Sequence, residues 1–320
     1  MQIINFSDDY SPYSAKKKFC ALLTNHTGYD IILIYAAEVE IKMTDNSNWL
    51  VYRVVRDEKL TSRARISELT GFSLMTIGKI TDRLERERII VRDRHRQTGT
   101  DLAGRRPSRY KLPDTPYVML ADMTKRPGSV GMYDVGGNSV GLTLTGNAGE
   151  CAAELYSEHY EDIALTAMLV PDDGSDPVGV FPWKEPDIVV GVFTAAAWDA
   201  YEASGEKRTL FVRKEPDSEW RACLIADGKL RGLEHGGIET LTQVTGDIQR
   251  AVASLIVALS PESVTVEASD IDGGAFIGYI TGAVPCAPDI RVLRNDEARL
   301  GYGAAMLALY KHVMSIKKLP

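Results

Sequence analysis

No apolar run in this chain approaches the ~20 residues that a membrane-spanning helix needs. The longest candidate, Ile31 to Ala37, is far too short. The first residues, MQIINFSDDYS, lack a basic segment followed by an apolar one, so no export signal is read there. Cysteine is scarce. Cys20, Cys151, Cys223 and Cys286 are widely scattered without a CxxC pair, so neither a disulfide framework nor a zinc site is expected, and they read as reduced, mostly buried side chains. These absences predict a cytoplasmic chain with no membrane partner and no metal. Positive charge is also short overall, with 37 Lys and Arg against 44 Asp and Glu.

That shortage is unevenly spread. Trp49 to Leu112 holds 16 Lys and Arg against 8 Asp and Glu, a local charge of +8, which leaves 21 against 36, or −15, for everything else. A basic island inside an acidic protein suits a duplex-binding module, because neutralised phosphate supplies most non-specific affinity. What is present otherwise is ordinary: 44% apolar and 25% charged residues are those of a globular protein, and 320 residues allow two or three domains.

Within the island, Leu60 to Leu112 carries the clearest local pattern. Ser62 stands where a helix N-cap belongs, followed by Ile66 and Leu69 on one apolar stripe. Thr70-Gly71-Phe72-Ser73 reads as a tight turn, with Gly71 able to take the left-handed conformation of a helix end. Ser73 is a second N-cap, and Ile77, Ile80 and Leu84 follow at i, i+3 and i+7. Two short helices joined by such a turn predict a helix-turn-helix. Ile89-Ile90-Val91 and Ser108 to Leu112 are then strand candidates, with the Gly- and Arg-rich segment between them as the loop of a hairpin, or wing. Thr76, Lys79 and Arg83 are expected on the polar face of the second helix. Arg94, Arg96, Arg105, Arg106 and Arg109 line the wing.

Residues 1–44 read as an accessory segment, with a short helix over Ser14 to Leu23 and an unresolved strand-or-helix pattern from Tyr29 to Met43. From Asp45, Leu50, Val54 and Val55 suggest a first helix ending at Asp57-Glu58-Lys59. Residues 45–113 form the expected DNA-binding domain, and Pro113-Asp114-Thr115-Pro116 a boundary. Residues 117–320 form a second domain. Strands are read at Tyr117 to Asp122, Ser129 to Val135, Val140 to Leu144, Ile188 to Val192, Thr209 to Val212, Arg221 to Ala226 and Val264 to Ala268. Helices are read at Thr194 to Ala203, Asp247 to Leu259 and Glu297 to Met314, the first of them with Trp198 on a packed face. That succession points to an α/β domain.

SRARISELTGFSLMTIGKITDRLERERII, with Gly104-Arg105-Arg106-Pro107 after it, resembles the winged helix and GRRP wing motif of the ROK (repressor, open reading frame, kinase) family. IADGKLRGLEHGG, DIQRAVASLIVALSPESVTVEAS and ARLGYGAAMLAL resemble a hairpin, the penultimate helix and strand, and the last helix of that family's sugar-kinase-like domain. The resemblance spans about residues 49–320, patchily after 145. It implies an N-terminal winged helix-turn-helix followed by a reduced actin/hexokinase-like (ROK-type) α/β domain.

Departures from the family pattern fall on its catalytic parts. Phosphate is held in the kinases on two glycine-rich turns, since only a backbone without side chains approaches the phosphoryl oxygens closely. Here the first turn reads Ala121 to Pro127, and the second reads Glu215-Pro216-Asp217-Ser218-Glu219-Trp220-Arg221, whose carboxylates repel nucleotide phosphate. The family's Asn-Asp pair, with Asp as general base, falls on Val192-Phe193, and Phe193 accepts no proton. The ExGH sugar-contact motif survives as Glu239, with Thr242 in place of the His, and the zinc-binding cysteine cluster is absent. Asp122, at the position of the first phosphate-loop Asp, together with His235 and Glu239, could mark a residual ligand pocket. Structural polar groups are the plainer reading of all three.

The expectation is thus a sequence-specific DNA-binding regulator, most simply a repressor, whose kinase-like domain catalyses nothing and takes no cofactor. Ser73 to Glu87 would lie in the major groove, with Ser73 among the contacting residues, Met75, Thr76 and Lys79 best placed to reach base edges, and Lys79 and Arg83 also able to reach phosphates. Arg105 and Arg106 would enter an adjacent minor groove and favour A·T-rich flanks. A homodimer on an inverted-repeat operator follows from the usual two-fold symmetry, and a small-molecule effector is left open. The alternatives are a divergent ROK-type sugar kinase and a non-catalytic protein-interaction module.

Overall fold

The computed structural model describes residues 20–23, 32–35, 47–93, 108–172, 180–206, 208–214, 220–226, 229–231, 247–294 and 299–316; of 20–23, 32–35 and 229–231 it gives the backbone path. The chain divides into two compact units, Lys42–Asp199 with Arg299–Pro320, and Met1–Ile41 with Ala200–Ala298. The N-terminal segment contributes an antiparallel pair, β1 (Cys20–Leu23) and β2 (Ile32–Tyr35). The helix expected over Ser14 to Leu23 is therefore corrected over its last turn. Cys-Ala-Leu-Leu suits either conformation, and pairing with β2 decides it.

The first unit begins with α1 (Ser47–Glu58), β3 (Thr61–Ser62), α2 (Arg63–Thr70), α3 (Leu74–Arg86), β4 (Val91–Arg92) and β5 (Arg109–Lys111). The three short strands form one antiparallel sheet in the order β3-β5-β4. Helix α1 buries Asn48, Trp49, Val51, Tyr52 and Val55, whereas Leu50 is 39% exposed. The two aromatic rings carry more apolar area than the leucine, so they set which way the helix faces.

After this segment come β6 (Val118–Asp122), β7 (Gly128–Tyr133), β8 (Ser139–Gly146), α4 (Ala148–His159), β9 (Leu165–Val170), β10 (Ile188–Gly191) and α5 (Val192–Ser204). The sheet order is β10-β9-β6-β7-β8, an antiparallel meander extended by two parallel strands. Met119, Ala121, Val130, Met132, Met168 and Val170 form one core with Ala152 and Leu155 of α4. The alternate residues Val118, Leu120, Ala167 and Leu169 are buried too, and the C-terminal helix α8 (Leu300–Ser315) packs on β6 and β9. Helices α5 and α8 cross closely at Gly303, where an added Cβ would run into the Ala195 carbonyl oxygen. That contact explains a glycine inside an otherwise strong helix-forming run.

The second unit repeats the arrangement. Strands β11 (Arg208–Lys214), β12 (Trp220–Ala226), β13 (Lys229–Arg231), β14 (Ser263–Glu267) and β15 (Asp289–Leu293) run in the order β13-β12-β11-β14-β15, again a meander continued by two parallel strands. Leu210, Val212, Leu224, Val264 and Val266 pack against Val252 and Ile256 of α6 (Ile248–Leu259) and Phe276 and Ile280 of α7 (Gly273–Ala283). Helix α7 carries glycine at positions 273, 274, 278 and 282, a composition that argues against a helix. Its start is fixed by the Asp272 carboxylate, which accepts from the Gly274 and Ala275 N–H groups.

The whole is a mixed α/β fold built on two sheets of equal strand order. Among the described residues no helix is long and apolar enough to cross a membrane. Cys151 and Cys223 are buried, and burial pushes the Cys223 thiol up to about 12, so it stays protonated and inert. Cys286 is exposed.

Candidate nucleic-acid interface

Both helix starts in the basic segment are built by the serines that the sequence marks as caps. Ser62 Oγ accepts from the Arg65 N–H (3.3 Å), and Ser73 Oγ from the Thr76 N–H (3.2 Å). Between the helices Gly71 takes φ 74°, and its N–H donates to the Ser67 carbonyl. The Ser67 hydroxyl donates to the Phe72 carbonyl (2.6 Å) and the Thr70 hydroxyl to that of Ile66 (2.7 Å). These bonds fix the turn locally, and buried Ile66, Ile77, Ile80 and Leu84 pack α3 against α2.

Helix α3 buries Ile77, Ile80, Thr81 and Leu84 and presents Leu74, Met75, Thr76, Lys79, Asp82 and Arg86 to solvent. Met75, Lys79, Asp82 and Arg86 stand at i, i+4, i+7 and i+11, so they form one line along the exposed face. The carboxylate in that line is offset. Asp82 receives the guanidinium of Arg63 and, at 3.2 Å, that of Arg92, which also holds Glu85 at 2.8 Å. Arg63 and Arg92 lie over the ring of buried Tyr110 on β5, at 5.5 and 6.0 Å from its centre, and Arg63 Nε donates to Thr81 Oγ1 (3.0 Å). These two arginines thus join the start of α2, the exposed side of α3 and the small sheet. Glu68 and Glu58 engage Arg65 in turn and raise its pKa.

The sequence-predicted interface residues divide accordingly. Ser73, Met75, Thr76 and Lys79 are exposed on the first turns of α3, and Arg109 is exposed on β5. Arg83, expected on the polar face, is corrected: it is 8% exposed, its Nε donates to the Lys79 carbonyl (3.2 Å), and burial lowers its pKa. Its long stem covers apolar surface, which a wheel of charges cannot foresee. Arg94, Arg96, Arg105 and Arg106 lie outside the described residues, as do His235, Glu239 and the Glu215 to Glu219 turn. Sequence reasoning passed over Arg86 and Leu74, although Arg86 sits seven residues after Lys79 on the same line. It also missed Arg63 and Arg92, whose pairing depends on strand register.

The same unit anchors the segment. Trp49 stacks on Tyr52 (4.7 Å) and meets Tyr310 of α8 edge-on (5.1 Å), and Tyr310 lies 4.9 Å from Trp198 of α5. Asn48 Nδ2 donates to the Val313 and Ile316 carbonyls (3.3 and 3.2 Å), and the Tyr52 hydroxyl to the Val135 carbonyl (2.6 Å). Trp198, read as part of a packed helix face, is fully buried in this cluster.

Two positions bear on catalysis. Phe193 is 2% exposed, and its N–H donates to Asp172 Oδ2 (2.7 Å), so a carboxylate of the chain itself occupies the N-terminal end of α5. Asp122 is half-buried at the end of β6, with Oδ1 accepting from the Thr124 N–H (2.9 Å) and hydroxyl (2.5 Å). It shapes the turn after β6.

No family model matches the chain, and no curated protein matches it. Solved structures do. A ROK family transcriptional regulator described as a homologue of the E. coli MLC protein is similar over 85% of this chain and 98% of its own, with a TM-score of 0.56 at 12% identity. A ROK family protein from Streptococcus pneumoniae TIGR4 in complex with sucrose gives 0.42 at 13% identity, over 61% of this chain and 98% of its own. A ROK family glucokinase from Streptomyces griseus in complex with glucose and AMPPNP gives 0.31 at 14% identity, over 61% and 98%. The chain therefore shares its fold with a ROK family regulator.

Proposed function

We propose that this chain is a sequence-specific transcriptional regulator, most simply a repressor, that grips duplex DNA through a winged helix-turn-helix made of α2, α3 and the β3-β5-β4 sheet. The single observation that carries the reading is the exposed face of α3: Met75, Thr76 and Lys79 project from its first turns, inside a segment of local charge +8. The N-terminal part of a recognition helix is the part that meets base edges. Lys79, Arg86 and Arg109 supply exposed cations for phosphate. In this reading Arg105 and Arg106 extend the contact into an A·T-rich minor groove. Arg83 is left out of the interface, because the residue is largely buried and its Nε is held by the Lys79 carbonyl.

The remaining α/β portion acts as a non-catalytic, dimer-forming scaffold. Buried Phe193 in place of a general base, and an Asp122 carboxylate committed to its own turn, support that reading. Two-fold pairing of the chain pairs the half-sites, so the operator is an inverted repeat. The test is selection from a random duplex pool with the full chain. Enrichment of A·T-flanked inverted repeats is expected, and a pool that stays random after repeated rounds overturns the proposal.

A further inference from the structure

We infer that Leu74 and Met75 read the C5-methyl groups of thymine in the major groove, and that this apolar pair sets much of the sequence preference. The inference rests on the DNA-binding reading above and goes on to say what the helix recognises. Met75 is 74% exposed, the most exposed of the large apolar side chains among the described residues, and Leu74 beside it is 59% exposed. Neither has a structural reason to be there. The cap of α3 is made by Ser73, and the core of the helix pair by Ile66, Ile77, Ile80 and Leu84.

The chemistry around the pair selects its occupant. Lys79 lies one turn beyond Met75 and Arg86 two turns further, while the one carboxylate of that face, Asp82, is offset by Arg63 and Arg92. An apolar patch meant for a second protein surface is normally depleted of charge at its core. Here the apolar groups are set into a cationic face, which complements a polyanion carrying apolar points. Duplex DNA has those points, because each thymine places a methyl group in the major groove. Duplex RNA does not, since its major groove is deep and narrow, and uracil carries no methyl. The hydroxyls at this helix start are also partly committed. Ser73 Oγ lies 2.9 Å from Thr76 Oγ1 and accepts the Thr76 N–H, which leaves the apolar side chains as the longest reach of the first turn.

The test uses the full chain and a duplex recovered from the random pool, resynthesised with each thymine in turn replaced by deoxyuridine. That exchange removes one methyl and leaves every hydrogen-bonding group of the base pair in place. At one or two positions per half-site, affinity is expected to fall about fourfold per methyl, the equivalent of ~0.8 kcal/mol for one buried carbon. Met75→Ala and Leu74→Ala should each weaken binding to the thymine duplex and abolish the uracil effect at one position, while Met75→Leu retains it. Both side chains are exposed, so the variants keep the parent's melting temperature.

Duplexes indifferent to uracil at every position would overturn the methyl reading and leave DNA binding intact. A pool with no enriched duplex would overturn the interface itself, and this inference with it. If either alanine variant changes the molar mass of the free protein in sedimentation, the pair belongs to a contact between chains, and the inference is also overturned.

Discussion

Lys79 and Arg83 lie one helical turn apart on α3, and they make opposite predictions. Lys79 is exposed, whereas Arg83 is 8% exposed with its Nε on the Lys79 carbonyl. Each phosphate neutralised by a cation contributes about 0.9 to the slope of log affinity against log salt. If Lys79 meets phosphate, Lys79→Ala lowers that slope by about 0.9. Between 50 and 200 mM salt, the ratio of wild-type to variant affinity should then shrink by roughly 3.5-fold. Arg83→Met keeps the apolar stem and removes a charge from a side chain that is mostly packed against the protein and bonded to the Lys79 carbonyl, so its slope should stay close to wild type. Its unfolding free energy should shift by less than about 1.5 kcal/mol, as for other volume-conserving changes. Fluorescence anisotropy with one labelled duplex at five salt concentrations measures both slopes. A flattened slope for Arg83→Met beside an unchanged one for Lys79→Ala would refute the orientation of α3. An unchanged slope with relaxed sequence preference for Lys79→Ala would place it on a base edge instead.

Arg105→Ala combined with Arg106→Ala should lower the same slope by about 1.8, twice the single-phosphate increment, and an unaltered slope would remove this pair from the proposed interface. Gly71→Ala meets no atom within 4 Å but forces alanine to φ 74°, so the folded state should lose about 1 kcal/mol, read as a lower urea midpoint. Tyr52→Phe leaves the buried Val135 carbonyl without its 2.6 Å donor and should cost about 1–3 kcal/mol in the same assay; a neutral result would mean that the hydroxyl is not needed to seat α1. His312 has its pKa lowered by burial, against the opposing pull of Glu87 and Asp187. The unfolded chain therefore binds the proton first, and stability should drop as pH falls through about 6.5 and level off below the folded value. His312→Gln should flatten that drop in thermal melts between pH 8 and 5, and an equal drop in both proteins would contradict the assignment.

Much of the candidate interface was legible because its signals are local. Ser62, Ser73 and Gly71 announce caps and a turn through their own side-chain chemistry and backbone freedom, and Ile77, Ile80 and Leu84 fix which side of α3 faces inward. Asp247 likewise marks the start of α6, and its side chain accepts from the Gln249 N–H. The helices that were missed have weak local signals. Helix α7 is rich in glycine, and α4 has a modest apolar stripe behind its Asn147 cap. Strands β9 and β15 exist because parallel partners, β6 and β14, are held beside them by residues far away in the chain.

Charge shows the same division. Where arginines are concentrated is a property of composition, and the basic island between Trp49 and Leu112 is fixed by residue order. Which of those arginines is available is a property of packing: Arg83 turns inward, Arg63 and Arg92 are drawn over Tyr110 toward Asp82, and Arg86 stands clear. Residue order alone sets where the two helices start and stop and where positive charge collects, because capping, glycine's conformational freedom and residue counts act within a few positions. Long-range packing settles which faces those helices show, that Leu74 and Met75 lie in water, and that two sheets share one strand order. Burial is settled by contacts between segments, and no segment carries its neighbours' shape.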